Sequence, residues 1–230
     1  MKRKKTFYSE LAYFSGIAIL AIGTALMARA DLGMSMVVVP AYLIHLKMSE
    51  FLPWYSFGVS EYIFQAFLLV ILSVILHRVK KSYIFSFVTA VLYGVVLDLS
   101  IRLVSFIPGS DSMPGRILFF TVGMLACSSS VALFFRTYIS PESYELFVKE
   151  ISDKTGYATD RVKTVYDLCS CFLGIALSFT FFGWWHFEGV KIGTVVCAIV
   201  NGWLIGKIGI LFDKIFIFRD LLPFRDFFQK

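Results

Sequence analysis

Charge is scarce in this chain. Only 17% of its 230 residues are Asp, Glu, Lys or Arg, whereas 58% are apolar, and the mean hydropathy is +0.76. A soluble domain carries more charge than this and cannot hide so much apolar surface in one core. Motifs of catalysis are missing as well: there is no HExxH, GxSxG, P-loop or GxGxxG. The three histidines, His45, His77 and His186, are isolated, and no acid, His or Met cluster marks a metal path. The four cysteines, Cys127, Cys169, Cys171 and Cys197, fall inside apolar runs without zinc spacing or a disulfide framework, and read as packing residues. These absences argue against an enzyme and against any cofactor or metal centre. The net charge of +6 and pI near 9.1 come without a basic stripe interleaved with aromatics, so nucleic acid is not the expected partner.

What the chain does have is long uncharged runs, at Leu11 to Ala28, Tyr62 to Leu76, Ser82 to Leu97, Ile117 to Phe135, Leu168 to Trp185 and Ile192 to Gly206. About 20 helical residues span the roughly 30 Å hydrocarbon layer, so each run with its flanks is long enough to cross. The expected fold is all-α: a single membrane domain of six transmembrane helices. After the first run comes a shorter one, Leu32 to Ile44, of the length expected for a re-entrant or interfacial segment, divided by Pro40. After the fourth comes Ser140 to Ile151, where Tyr144, Phe147, Val148 and Ile151 trace an amphipathic helix with Ser140 as N-cap and Pro141 at its first position. The tail, residues 213–230, mixes apolar residues with charged pairs and reads as an interfacial helix broken near Pro223.

Basic residues set the expected orientation. With both termini in the cytoplasm, 17 of the 22 Lys and Arg lie on inner segments, leaving Arg29, Lys47, Arg102, Arg116 and Lys191 outside. The basic start and the "ARA" at Ala28 to Ala30 imitate a signal peptide, but the apolar stretch exceeds the usual 7 to 15 residues and is expected to stay as the first span.

The two halves echo each other. Gly16, Ala25, Leu26 and Arg29 match Gly123, Ala132, Leu133 and Arg136 at a spacing of 107, Glu61 matches Asp167 at 106, and Thr89 and Arg102 match Thr194 and Lys207 at 105. Each half, 8–107 and 115–212, holds three spans, so the second enters the membrane from the opposite side and the pair forms an inverted repeat. Charges at the ends of spans are costly unless paired or wetted. Arg29, Asp31, Glu61 and Arg102 are expected to form an outer cluster, and Arg136, Asp167 and Lys207 an inner one, each acting as a gate. Asp98 follows sixteen uncharged residues and has no acidic mate in the second half; either Arg102 one turn on neutralises it, or it sits in a central site with Asn201.

The phrase "GTALMARADLGMSMVVVPAYLIHLK" resembles the YczE/YitT-like family of small bacterial integral membrane proteins. The likeness is sharpest at Ala30 to Ser35, although here Met36 follows Ser35 and the proline comes only at Pro40. The resemblance implies several spans in a bacterial inner membrane and names no substrate. The leading expectation is a small secondary transporter or facilitator of a polar or charged small molecule or ion. Its other contacts would be membrane lipids and, as a homodimer, a second copy of itself. The alternatives are a non-transporting accessory that binds a partner through its tail and its Ser140 to Lys163 loop, and a lipid-handling protein.

Overall fold

The computed structural model describes residues 5–108 and 112–223, and of Thr159 and Asp160 the backbone alone. In chain order the elements are β1 (Lys5–Tyr8), α1 (Ser9–Ala30), α2 (Val39–Ser49), α3 (Phe57–Leu76), α4 (Lys81–Ser105), α5 (Met113–Phe134), α6 (Ser143–Thr155), α7 (Thr159–Phe182), α8 (Ile192–Ile215) and β2 (Phe216–Arg219). Among the described residues, six of the eight helices are long and apolar enough to cross a membrane, the makeup of a multi-pass membrane protein.

Local chemistry explains where the helices begin and end. Ser56 caps α3 by accepting the Val59 amide at 3.2 Å, and Ser112 caps α5 through the Gly115 amide at 3.3 Å. Asp31 and His77 close α1 and α3 in the left-handed conformation, each at φ 51°. Pro40 does not divide a helix. It sits in the first turn of α2, where the missing amide costs nothing, and residues 31–38 before it are turns and irregular chain. The second short helix likewise starts later than Ser140: Glu142 is the N-cap residue, and Gln65 of α3 accepts the Ser143 amide at 3.0 Å. The tail also departs from the helical expectation. After Ile215 the alternating Phe-Ile-Phe-Arg becomes β2, which pairs in parallel with β1 from Lys5 opposite Phe216 to Tyr8 opposite Arg219. Phe7 packs on Phe216 and Phe218, giving the strand a partner that an interfacial helix would lack. Residues 224–230 lie outside the described residues.

Small residues govern how the long helices cross. On α1 and α5, a side chain added at Gly16 would meet the Phe134 ring and one at Gly123 would meet Met27, so the two helices approach closely. Between α3 and α4 the contact is closer still: a Cβ at Gly58 would overlap the Gly94 carbonyl. Helix α1 also packs on α4, and α5 on α8, while α2 and α6 each wedge between α3 and α7. Among the described residues, α7 and α8 do not close on one another as α3 and α4 do, and their apolar windows are only 17% and 11% buried, against 50% in α1 and α5. That gap borders a cavity.

Candidate functional site

The cavity has a volume of about 450 Å³. Most of its wall is apolar, with Leu20 and Met27 from α1, Val131 and Phe134 from α5, and Ile205 from α8. Two irregular segments complete it: Met34 to Val38, leading into α2, and Glu142, leading into α6. The first turn of α6 therefore faces the cavity, and so does the chain that enters α2.

The polar part of the wall is built from several helices. Tyr93 on α4 donates to the Thr24 hydroxyl on α1 at 2.9 Å. Asn201 on α8 accepts from Ser128 on α5 at 2.5 Å, tying those helices together at the rim. On α7, Lys163 pairs with Asp167 at 2.9 Å, one turn apart on the same face. From α6 come Glu142, Tyr144 and Glu145. Tyr144 reaches away from the wall to donate to Glu61 at 2.8 Å, and the same Glu61 oxygen accepts from Gln65 at 3.3 Å. Glu61 is fully buried and its other oxygen, Oε1, has no hydrogen-bond partner among the described residues.

Glu142 is the most unusual group. It is 3% exposed, and its Oε1 also lacks a hydrogen-bond partner among the described residues. Burial pushes its carboxyl well above the usual carboxylate range, the nearby Glu145 and Glu61 push it further, and the Gln65 amide offsets this only in part. Burial raises Glu145 as well, with Lys163 opposing. Three carboxyl groups and one ammonium thus share the wall, and the ammonium is already paired. Such a wall can exchange a proton or accept a cation; it offers an anion little. Among the described residues no group of three or more His, Cys, Asp or Glu is placed to hold a metal ion.

The residues singled out from sequence divide. Asp167 and Asn201 line the cavity, and Glu61 adjoins it through Tyr144. Asp98 does not: its oxygens accept from Ser56 at 2.5 Å and from the Gly58 amide at 2.8 Å, fastening the start of α3 to α4, so neither is spent on Arg102. Arg29 donates to the Ser105 and Ile107 carbonyls, both at 2.9 Å, at the end of α4. Asp31 pairs with Arg116 at 2.8 Å and Lys191 at 2.5 Å. Arg102 is exposed. The outer charges therefore do not gather round Glu61, which turns inward to α6. Arg136 makes a two-pronged contact with Asp213 at 2.7 and 2.6 Å, and Lys207 lies over the Trp203 ring at 5.9 Å. Neither meets Asp167. Of the cysteines, Cys127 and Cys197 are buried on the cavity wall, whereas Cys169 is exposed.

Glu142, Glu145, Lys163 and the tyrosines Tyr93 and Tyr144 were not expected from sequence as residues of the transport site; Tyr144 was read only as part of the apolar face of the second short helix. The available signal was two glutamates three residues apart directly after Pro141, which on a helix read as surface charges.

A match to a known family covers residues 7–209. The chain belongs to the DUF6198 family, a family of unknown function. The DUF6198 match contains α1 to α7, most of α8 and every cavity residue named here, and leaves out β2. No curated protein and no solved structure matches the chain.

Proposed function

We propose that this chain is a small secondary transporter or facilitator, not an enzyme, that passes a small polar or charged solute across the bacterial cytoplasmic membrane. The observation that carries the reading is the central cavity, entered by the starts of both short helices and holding a buried acid with a free oxygen. Binding sites in transporters of inverted-repeat design are formed near the midplane by interrupted helices, with irregular backbone lining a cavity. On this reading the segments 31–49 and 135–155 are re-entrant, each dipping to the centre and returning to the face it left.

Contacts that exchange between the halves support the inverted repeat. Gly16 faces Phe134 as Gly123 faces Met27, and the counterparts, Gly16 with Gly123 and Met27 with Phe134, are each 107 apart in sequence. Ser130 donates to the Gly16 carbonyl at 2.7 Å, and its counterpart Gly23 lies against the Gly123 carbonyl. Thr89 on α4 donates to the Ser140 carbonyl before α6 at 3.1 Å, and Thr194 on α8 accepts the Met34 amide before α2 at 3.2 Å. Arg29 clasps the end of α4 and Arg136 the end of α8. The pairing of β1 with β2 brings both ends of the described chain together, which supports a common side for them, and the Lys and Arg bias favours the cytoplasm. The YczE/YitT-like phrase at Ala30 to Ser35 falls in the first re-entrant segment, so the likeness and the site coincide.

The test is accessibility. With the four cysteines replaced, single cysteines at Asp167, Glu145 and Asp98 are labelled from each side with a membrane-impermeant thiol reagent. Cysteines at 167 and 145 are expected to react, with that at 98 slower by about tenfold. Unreactive positions 145 and 167 from both sides would remove the transport reading and leave the partner-binding accessory.

A further inference from the structure

The charge on the cavity wall says what it takes. Lys163 is committed to Asp167, and among the described residues no Lys, Arg or His lies within ion-pairing distance of Glu142 or Glu145. A buried carboxylate without a counter-charge is expensive, so the empty site holds Glu142 as the neutral acid. Its Oε1 still lacks a donor. Elsewhere on the wall Thr24 is bonded to Tyr93 and Asn201 to Ser128, Glu145 and Asp167 add carboxyl oxygens, of which Asp167 Oδ1 lies 2.9 Å from the Lys163 ammonium but accepts no hydrogen bond among the described residues, and Met27, Val131, Phe134 and Ile205 give apolar surface. A ligand that completes this site brings an N–H donor, one positive charge and an apolar body.

We propose that the solute is an organic amine with an apolar body, bound as its ammonium by the Glu142 carboxylate, and that its entry displaces one proton from Glu142. The inference rests on the transport reading only for its physiological meaning; binding itself does not require it. The exchange balances. The carboxylic acid gives its O–H proton to water, the carboxylate receives the ammonium already protonated at neutral pH, as a lysine would be, and the cavity's net charge is unchanged. Reversal on the other side returns a proton to Glu142 as the ammonium leaves, which makes the pair an amine–proton exchanger. Position favours Glu142 for this over Glu145: it stands at the N-cap of α6, where the helix dipole eases ionisation once a counter-ion arrives. The groups that bear on it are Glu61 from α3, Tyr93 from α4, Glu145 and Tyr144 from α6, and the Lys163–Asp167 pair from α7. Tyr13 of α1 and Cys127 of α5 also feel its charge. None of these supplies an unpaired positive charge. A pocket of about 450 Å³ suits a small aromatic or branched alkyl body.

The full chain, purified in detergent, is titrated calorimetrically with 2-phenylethylamine, 2-phenylethanol and 3-phenylpropanoate, which share a body and differ in head group. Each titration is run near pH 7 in phosphate and in Tris, whose ionisation enthalpies differ. The amine is expected to bind about tenfold or more tightly than the alcohol or the carboxylate, releasing close to one proton. In Glu142→Gln the release disappears and affinity falls about tenfold, while Glu50→Gln, at an exposed acid paired with Lys47 away from the cavity, keeps both the release and the affinity. Equal binding of amine and alcohol, or amine binding without proton release in the unmodified protein, overturns the proposal, and neither result depends on a variant folding. Reconstituted vesicles separate the two readings. If they fail to accumulate the amine against a pH gradient although detergent binding releases a proton, the amine site stands and transport falls. If they move the carboxylate instead, transport stands and the amine inference falls.

Discussion

At the scale of single residues, acids that stand among apolar neighbours do different work. Asp98, half-buried, accepts from a hydroxyl and a backbone amide at the start of α3, whereas Glu142, buried, has an oxygen in a cavity with no hydrogen-bond partner among the described residues. Asp98→Ala is therefore expected to lower stability by about 1–3 kcal/mol, the worth of hydrogen bonds to a charged group, with amine affinity unchanged; thermal unfolding and the titration above check both halves of the statement. Glu142→Gln should behave oppositely. A carboxyl raised by burial binds its proton more tightly folded than unfolded, so its neutral form is favoured in the fold and stability falls as pH rises from the ordinary carboxylate range toward the raised value. The unmodified protein should lose thermal stability as pH rises above the ordinary carboxylate range, and the Gln variant should lose less. A parallel decline in both would remove Glu142 as the cause. Asp98 stood out in the sequence because it interrupts an apolar run, and that prominence was misleading about the site. Its partners come from a helix start some forty residues earlier, which no local pattern reveals.

At the scale of elements, glycine positions separate contacts that matter from those that do not. Gly58 and Gly94 hold α3 and α4 so close that a Cβ at either meets backbone of the other, and backbone cannot rotate away. Gly202 and Gly206 on α8 have nothing within 4 Å of an added Cβ. Gly58→Ala and Gly94→Ala should each cost about 1–3 kcal/mol or more, while Gly202→Ala and Gly206→Ala should be neutral or gain up to about 1 kcal/mol from helix propensity. Melting temperatures of the four variants in one detergent decide it; equal losses would mean that α8 is covered by something that the chain alone does not contain. The six long helices were legible in the sequence because each needs some twenty uncharged residues, a demand no short-range context can mask. The short helices were legible as interruptions but not as cavity walls. Glu142 and Glu145 repeat at helical spacing beside Lys149, like any solvated face, and the groups that bear on Glu142, namely Gln65, Glu61 and Tyr93, are brought in by packing from α3 and α4. The tail was misjudged for a similar reason: Phe216 to Arg219 becomes a strand only because Lys5 to Tyr8, at the far end of the chain, supplies the matching edge.

At the scale of the whole molecule, two arginines make corresponding clasps. Arg29 binds the carbonyls ending α4, and Arg136 binds Asp213 near the end of α8, so each half ties the end of its first long helix to the end of its own last one, and on the proposed inverted repeat the two clasps would close opposite faces. In a protein that opens alternately, each clasp adds stability to the state closed at its own face, and weakening it shifts the population toward the state open there by the free energy lost. A single partly exposed arginine contact is worth up to about 1 kcal/mol, a shift of about fivefold at most. A cysteine at position 167 reports the shift. Arg136→Ala should speed its labelling from the cytoplasmic side and slow it from the outside, and Arg29→Ala should do the reverse, each by about two- to fivefold. Opposite signs are the decisive feature, because a general loosening of the bundle would raise labelling from both sides in both variants. Matching signs would mean that the clasps merely hold the helices together, and that the resemblance between the halves is a matter of folding alone.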